Sequence, residues 1–498
     1  MERKDIFIRK LLFAGMFLLL TAWTCVLCFY HLGEAGTQNW DEAIYGINAY
    51  EMIQSGNWWV QTYRYAVDYY NLKPPFIMWC IALCFQSLGF SFFAMRLPSA
   101  IAAVLLFVLI FISTARYFGK KAAVIAGMVF VSLTDMFFFH MARSADADAL
   151  YLLMFMAAMV CLYESEKKPW FLTGCGVFLS LAFMAKCMHM GIGVAVCILY
   201  LPRIYKKLKL KHYIGAAIGA ALPTGIWAAV RFSYDGFAFF AQMFGVEIVD
   251  RVTKESDYLG YIRYFGTKPV VLLSLAAILG SLALLFFRRK EEKRAADGKS
   301  LLRKIIGSRL YLFAVWLLVS LAAYSVSGSF MEWYGYICYL PFCVITGAVL
   351  GRALDLPGKR KAAALILLLL PVIGLGTSVK KSLWNLQTLE YENNTDIRRD
   401  ISCLIEKYPE YRGAGIYIEN SRNEYCRQNE WEQNSVADIY IIGDMKPIEG
   451  GVPVFVEDKD ALLLISKNLF ETYSNVLAGR VILVDGDDYL IFSNEFYK

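Results

Sequence analysis

Over its first 380 residues the chain alternates long apolar runs with short polar stretches, and beyond that point the pattern ends. Apolar runs fall at about 11–31, 97–115, 122–140, 149–163, 170–186, 190–202, 213–231, 269–287, 310–327, 335–351 and 362–379. A hydrocarbon core of about 30 Å takes about 20 helical residues to cross. The pattern therefore predicts a polytopic helical membrane domain of about eleven spans over residues 1–379. The first run follows Arg3, Lys4, Arg9 and Lys10 and closes without a small-x-small cleavage pattern, so it reads as an uncleaved span. A further run at 75–90 opens on Pro-Pro and is short for a crossing.

After residue 380 the apolar runs shorten to strand length. They fall at 415–419, 437–442, 452–456 and 481–484, and the turn Asp485-Gly486-Asp487-Asp488 leads into 489–492. Helical stretches fall near 396–408 and 459–477. Residues 380–498 thus predict a small α/β domain.

Charge decides whether 75–90 crosses. If it lies at the interface, the segments 116–121, 164–169, 203–212, 288–309 and 352–361 share the side of the N-terminus. Together with the N-terminus they carry 27 Lys and Arg, against about 10 on the other side. That bias marks a cytoplasmic face. The N-terminus is then cytoplasmic, and the C-terminal domain and the long loop 32–75 are extracytoplasmic, in a multi-pass plasma-membrane protein.

Composition agrees. Apolar types make up 58%, charged types 19%, and mean hydropathy is +0.46, where soluble domains have about 45–50% apolar and about 25% charged residues. Disorder is excluded. The net charge of +7 records orientation and points to no nucleic-acid partner. The twelve cysteines lie mostly inside apolar runs, with Cys403 and Cys426 in the polar tail, so they form no disulfide framework.

The unusual polar residues gather on the extracytoplasmic side. The loop 32–75 is rich in Trp and Tyr, carries Asp41 and Glu42, continues near 48–53 as a helix suited to the membrane surface, and ends at Lys73-Pro74-Pro75. The next turn, MARSADADAL, holds Arg143, Asp146 and Asp148; Lys186 follows. The loop 232–268 adds Asp235, Glu247, Asp250, Arg251 and Arg263, and a last short loop holds Glu332, Trp333, Tyr334 and Tyr336. Charges at a membrane edge are costly and mark function. A carboxylate serves as general base toward a hydroxyl. Lys and Arg hold a departing phosphate, and flat aromatic helices accept a lipid chain. These parts describe transfer from a lipid phosphate.

Each residue has a plainer reading. Asp41 is a favoured N-cap, Glu42 suits a helix start and Lys73 snorkels to headgroups. Arg143 with Asp148 makes a structural ion pair, and Gly174-Cys175-Gly176 serves helix packing. Asp146-Ala147-Asp148 has the DxD spacing of metal-dependent nucleotide-sugar enzymes, but on the face away from the cytoplasmic nucleotide sugars. No cofactor is assigned, and a divalent metal is left open.

The order of motifs carries a resemblance: the Asp-Glu pair, Lys-Pro-Pro, FAMRLPSAIAAVLL, ARSADADALYLLMF, LAFMAKCMHMGIGV and WYGYICYLPFCVITG. Over roughly residues 1–350 it resembles the GT-C glycosyltransferases of the dolichyl-phosphate-mannose–protein mannosyltransferase and ArnT-like aminoarabinose transferase superfamily. The resemblance implies a polyprenyl-phosphate sugar as donor, an acceptor hydroxyl on a lipid, wall polymer or protein, and inversion at the anomeric carbon. It implies Asp41 as catalytic acid–base, with Glu42 beside it as a second catalytic residue. Lys73, Arg143, Lys186 and Tyr334 become donor-phosphate contacts, and Asp148 and Tyr336 support them. The chain departs from the aminoarabinose branch at Ile44, where that branch carries Arg, and at Leu72, where it carries Glu. The competing class is a polytopic transporter or lipid-carrier flippase. The chain shows neither the internal repeats nor the paired broken helices frequent in transporters. A membrane scaffold whose tail binds a partner is a third reading.

Overall fold

The computed structural model describes residues 2–37, 41–246, 257–292, 306–327, 330–392, 396–419, 430–448 and 450–496. Glu247, Asp250, Arg251, most of the basic segment 288–309 and Cys426 lie outside the described residues. In chain order the helices begin with α1 (Glu2–Phe29), α2 (Asp41–Ser55), α3 (Phe76–Leu88), α4 (Phe92–Phe118), α5 (Lys120–Val131), α6 (Asp135–Phe138), α7 (Asp148–Glu164) and α8 (Phe171–Lys186). There follow α9 (Gly191–Ile204), α10 (Leu210–Asp235), α11 (Ala238–Phe244), α12 (Gly260–Gly266), α13 (Pro269–Glu292), α14 (Tyr311–Val326), α15 (Tyr336–Ala353) and α16 (Gly358–Glu392). The tail adds α17 (Asp396–Lys407), α18 (Glu430–Asp438), α19 (Gly451–Phe455) and α20 (Lys467–Leu477).

Two compact units emerge, each assembled from separated stretches. The first comprises 1–30, 99–143 and 147–386; the second comprises 31–98, 144–146 and 387–498.

The first unit is helical and built for lipid. Among the described residues, seven helical stretches of the chain are long and apolar enough to cross a membrane, and α14 is a shorter apolar helix. One of the seven, residues 171–207, is too long for a single straight crossing and is broken where α8 ends at Lys186 and Cys187 takes a φ of 46°. The run 122–140 is not one helix: α5 stops at Val131, and Ser132–Thr134 turn the chain into the short α6. Small residues set the helix spacing. A Cβ at Gly176 of α8 would collide with the carbonyl oxygen of Ala216 in α10, and one at Gly347 of α15 with that of Ala122 in α5. Leu18, Ile218, Leu279 and Ile366 point outward, as lipid-facing side chains do.

The second unit holds a five-stranded mixed sheet of order β4-β3-β5-β7-β6. Its strands are β3 (Gly415–Glu419), β4 (Lys446–Ile448), β5 (Leu462–Ser466), β6 (Arg480–Asp485) and β7 (Tyr489–Phe496). β3 pairs parallel with β4 and β5, and β7 pairs antiparallel with β5 and β6. Tyr417, Phe455, Leu463, Ile465 and Phe492 form the core of one face. α17 is amphipathic and buries Ile397, Ile401, Leu404 and Ile405 at helical spacing.

Three expectations in this tail are corrected. Residues 437–442 are not a strand but the end of α18 and a π-helical turn, Ile439–Gly443. Ile439, Tyr440 and Ile441 are all buried, and burial on every side removes the periodicity that separates helix from strand. Residues 452–455 belong to α19, with Val456 just past its end, and 459–477 divides into β5 and α20. A small hairpin, β1 (Thr62–Tyr63) and β2 (Ala66–Val67), also joins the second unit. Its turn residues Arg64 and Tyr65 have φ of 51° and 62°, the left-handed pair of a type I′ turn. Arg64 Nη2 donates to the Ile448 carbonyl at 3.0 Å, and the Tyr65 N–H donates to Glu51 Oε2 at 3.1 Å.

Candidate active site

In the second unit α2 opens on adjacent acids with separate partners. Asp41 is one-third exposed, and its Oδ1 accepts from Lys73 Nζ at 3.0 Å. Lys73 also donates to the hydroxyl of Tyr45, one turn into α2, and lies 5.0 Å from that ring's centroid. Burial pushes the Tyr45 phenol well up, and the Asp41 carboxylate adds to it while Lys73 opposes. Tyr45 therefore stays protonated, a neutral hydroxyl beside a carboxylate and an ammonium.

Lys73 is placed by its own loop. Gln61 Nε2 donates to the Lys73 carbonyl at 2.6 Å, and the Lys73 N–H donates to Asn71 Oδ1 at 3.3 Å. Asn71 Nδ2 donates to Asn48 Oδ1 of α2 at 2.7 Å, and Asp68 Oδ1 accepts from the N–H groups of Tyr70 and Asn71. The loop ahead of Pro74 is thus tied to α2 by side-chain amides.

Glu42 faces the interior. It is fully buried and forms a fork with Arg96 of α4, with Nε to Oε1 at 2.7 Å and Nη2 to Oε2 at 2.9 Å. The Ala145 N–H donates to the same Oε1 at 2.9 Å. Arg96 spends its remaining donors on the carbonyls of Leu32, Ala35 and Gly36. The Ala35 carbonyl also accepts from Arg398 of α17 at 2.7 Å. Two arginines therefore pin the backbone that leads into α2. Asp146 is buried and accepts from the Ser144 hydroxyl at 2.8 Å.

The other expected residues lie in the first unit. Lys186, the last residue of α8, pairs with Asp148, the first of α7, and both are buried. Its Nζ sits 4.6 Å from the Tyr334 ring centroid, and the His189 ring packs edge-on to Tyr334 at 4.7 Å. Arg143 donates to the Leu27 carbonyl at 3.1 Å. The Tyr336 hydroxyl is within 3.1 Å of the carbonyls of Asp135 and Phe139. The structure thus brings together Asp41 with Lys73, and Asp148 with Lys186 and Tyr334. Among the described residues, no group of three His, Cys, Asp or Glu side chains could hold a metal ion.

Sequence reasoning did not single out Arg96, Tyr45 or the Asn48–Asn71 tie. The available signal for Arg96 was a lone arginine inside an apolar helix, a position that calls for a buried acidic partner.

Residues 72–227 match the family model of dolichyl-phosphate-mannose-protein mannosyltransferase. That interval contains Lys73, Arg96, Arg143, Asp148 and Lys186. The undecaprenyl phosphate-alpha-4-amino-4-deoxy-L-arabinose arabinosyl transferase of Aeromonas hydrophila is 26% identical over 367 residues, 69% of this chain and 62% of its own. An uncharacterized protein of Aquifex aeolicus is 26% identical over 216 residues, 42% of each chain. The chain spans less than two thirds of the length of these curated relatives. The crystal structure of ArnT from Cupriavidus metallidurans bound to undecaprenyl phosphate superposes with a TM-score of 0.69 at 14% identity, covering 97% of this chain and 98% of that one. At that identity the likeness is one of fold.

Proposed function

As a multi-pass membrane protein of the GT-C glycosyltransferase family, ArnT-like in fold, the chain is, we propose, an enzyme that moves a sugar from a polyprenyl phosphate to an acceptor hydroxyl. In this proposal the chain crosses the plasma membrane about eleven times, and its C-terminal part and the 32–75 loop are extracytoplasmic. The observation that carries the reading is the contact of Asp41 with Lys73 at the start of α2.

The chemistry follows from those two side chains. Asp41 takes the proton of the acceptor hydroxyl as that oxygen attacks the anomeric carbon. The bond from that carbon to the phosphate oxygen breaks, the phosphate keeps the electron pair, and configuration inverts. An ion-paired carboxylate is a weak base. When the donor phosphate arrives, Lys73 shares its three N–H donors with the phosphate oxygens, and Asp41 regains basicity where the proton must go. Tyr45, kept neutral by burial, holds the ammonium from the far side. We assign Glu42 the placing of Asp41, since its carboxylate is committed to Arg96. By the family resemblance, Arg143, Lys186 and Tyr334 are proposed for the donor phosphate, with Asp148 and Tyr336 supporting them.

The test is release of free polyprenyl phosphate from a panel of polyprenyl-phosphate sugars, with candidate acceptors present. A general base contributes about 10²–10⁴-fold, so Asp41→Asn should lose at least that lower factor while melting like the wild type. Full turnover by a folded Asp41→Asn protein would sink the assignment.

A further inference from the structure

A cavity of about 140 Å³ lies in the first unit, and neither Lys186 nor Asp148 lines it. It is bounded by the Ser132–Asp135 turn, the start of α13 at Lys268 and Val270, and Thr377, Ser378 and Lys381 of α16. Asp135 stands between the two lysines, 2.5 Å from Lys268 Nζ and 3.4 Å from Lys381 Nζ. The trio carries one net positive charge. Three of the lining hydroxyls spend their protons on carbonyls: Ser132 donates to Met128, Thr377 to Gly374 and Ser378 to Ser132. The two ammonium groups offer a ligand the N–H donors beyond those given to Asp135. The positive end of the α13 dipole adds to them. Lys381 is 57% exposed and held at the longer distance, so it can turn toward an incoming anion.

Below the lysines, the same helix faces continue as apolar stripes. On α13, Leu272, Leu275 and Leu279 follow Lys268 at helical spacing, and all are exposed. On α16, Ile373, Leu369 and Ile366 precede Lys381 and Thr377 on one face and are exposed too. A cavity of mainly apolar lining, edged by two lysines, thus sits at the head of exposed apolar stripes on α13 and α16.

We propose that this cavity binds the phosphodiester headgroup of an anionic membrane phospholipid through Lys268 and Lys381, with the acyl chains lying along α13 and α16. Asp135 holds the two ammonium groups apart and in place. The lining uses none of the residues proposed for sugar transfer, though the Tyr336 hydroxyl bonds the Asp135 carbonyl at 3.1 Å.

Native mass spectrometry of the full chain released from detergent tests this, with phosphatidylglycerol and phosphatidylcholine offered in equal amounts. The wild type should retain phosphatidylglycerol about tenfold better, a difference of one decade in dissociation constant. Lys268→Gln/Lys381→Gln should lose the preference, and Lys381→Gln, an exposed replacement that spares the fold, should lose most of it. Equal retention of both lipids by the wild type, or an unchanged preference in both variants, would overturn the proposal. A parallel arm adds inorganic phosphate and follows melting. If millimolar phosphate stabilises the wild type but not the variants, and phosphatidylglycerol is not retained, the lipid assignment fails and the ligand is a soluble phosphate anion.

Discussion

Replacing Arg96 by methionine tests whether the Glu42 fork anchors α2. The side chain is 1% exposed, and all five of its N–H donors are used, two on Glu42 and three on backbone carbonyls. Methionine leaves a buried carboxylate with the Ala145 N–H but without its cation. Removing one partner of such a pair costs about 3–5 kcal/mol. The stranded carbonyls of Leu32 and Gly36 add about 1 kcal/mol each before relaxation, while Arg398 still serves Ala35. Relaxation of the loop offsets the carbonyl terms, which leaves a net loss of roughly 4 kcal/mol. For a unit of 150–250 residues each kcal/mol moves the melting temperature by about 2–4 °C, which gives a fall of about 10 °C. The assay is a thermal scan of the purified chain in detergent, read with a thiol-reactive dye as the buried cysteines unmask. One heating rate is used throughout, because such unfolding is often irreversible. Glu42→Gln should fall in the same direction. The double replacement Glu42→Met/Arg96→Met should recover part of the loss, since no buried charge is then left alone. Melting of Arg96→Met within about 2 °C of the wild type, below the shift of one kcal/mol, would refute the anchoring argument.

Glu51 of α2 is buried, and burial raises its carboxyl above the ordinary 4.5 despite donors from Thr62, Tyr440 and the Tyr65 N–H. The fold then keeps a proton that the unfolded chain releases, so Glu51's contribution is full below pH 4.5 and is lost as pH rises toward the folded value. The melting temperature of wild type minus that of Glu51→Gln should fall across that window; a difference that stays flat with pH would count against it. Cys403 is exposed, so in a Cys426→Ser background an impermeant maleimide should label Cys403 on intact cells if the tail is extracytoplasmic, and labelling only after lysis would reverse the proposed orientation. Gly176→Leu should lower thermal stability by roughly 1–3 kcal/mol, because its side chain meets the Ala216 backbone; an unchanged melt would mean that α8 and α10 separate at no cost.

The helices of the first unit were legible because lipid demands apolar residues wherever a helix faces it. The break between 186 and 190 was legible too, as the end of one apolar run and the start of the next, but the one at Ser132–Thr134 was not, since it interrupts the run 122–140 without a change of composition. In the tail, β3, β6 and β7 could be read from short apolar runs and an Asp-Gly turn. β5 was hidden because Leu462–Ile465 is buried and runs straight into an amphipathic helix. Asp41 and Lys73 were legible through a motif resemblance, and their contact joins residues 32 apart. The grouping of 31–98 with 387–498 was beyond reach. It rests on pairs such as Arg64 with Glu432 and Tyr440 with Glu51, which no local pattern announces.

That grouping also sets a timetable for biogenesis. Glu51 meets the Tyr440 hydroxyl 389 positions later, and Tyr50 meets Asp444 394 positions later. At about 5–20 residues per second of synthesis, the first half of the second unit waits about 20–80 s for its other half. During that interval Glu51, Tyr50 and the left-handed turn at Arg64 and Tyr65 have no tail to hold them. The ribosome meanwhile delivers most of the apolar helices to the insertion machinery. The loop therefore depends on a holding chaperone until the tail is made. Nascent chains stalled before residue 440 should be degraded fastest from that loop, and a tail already present as a separate polypeptide should slow that degradation.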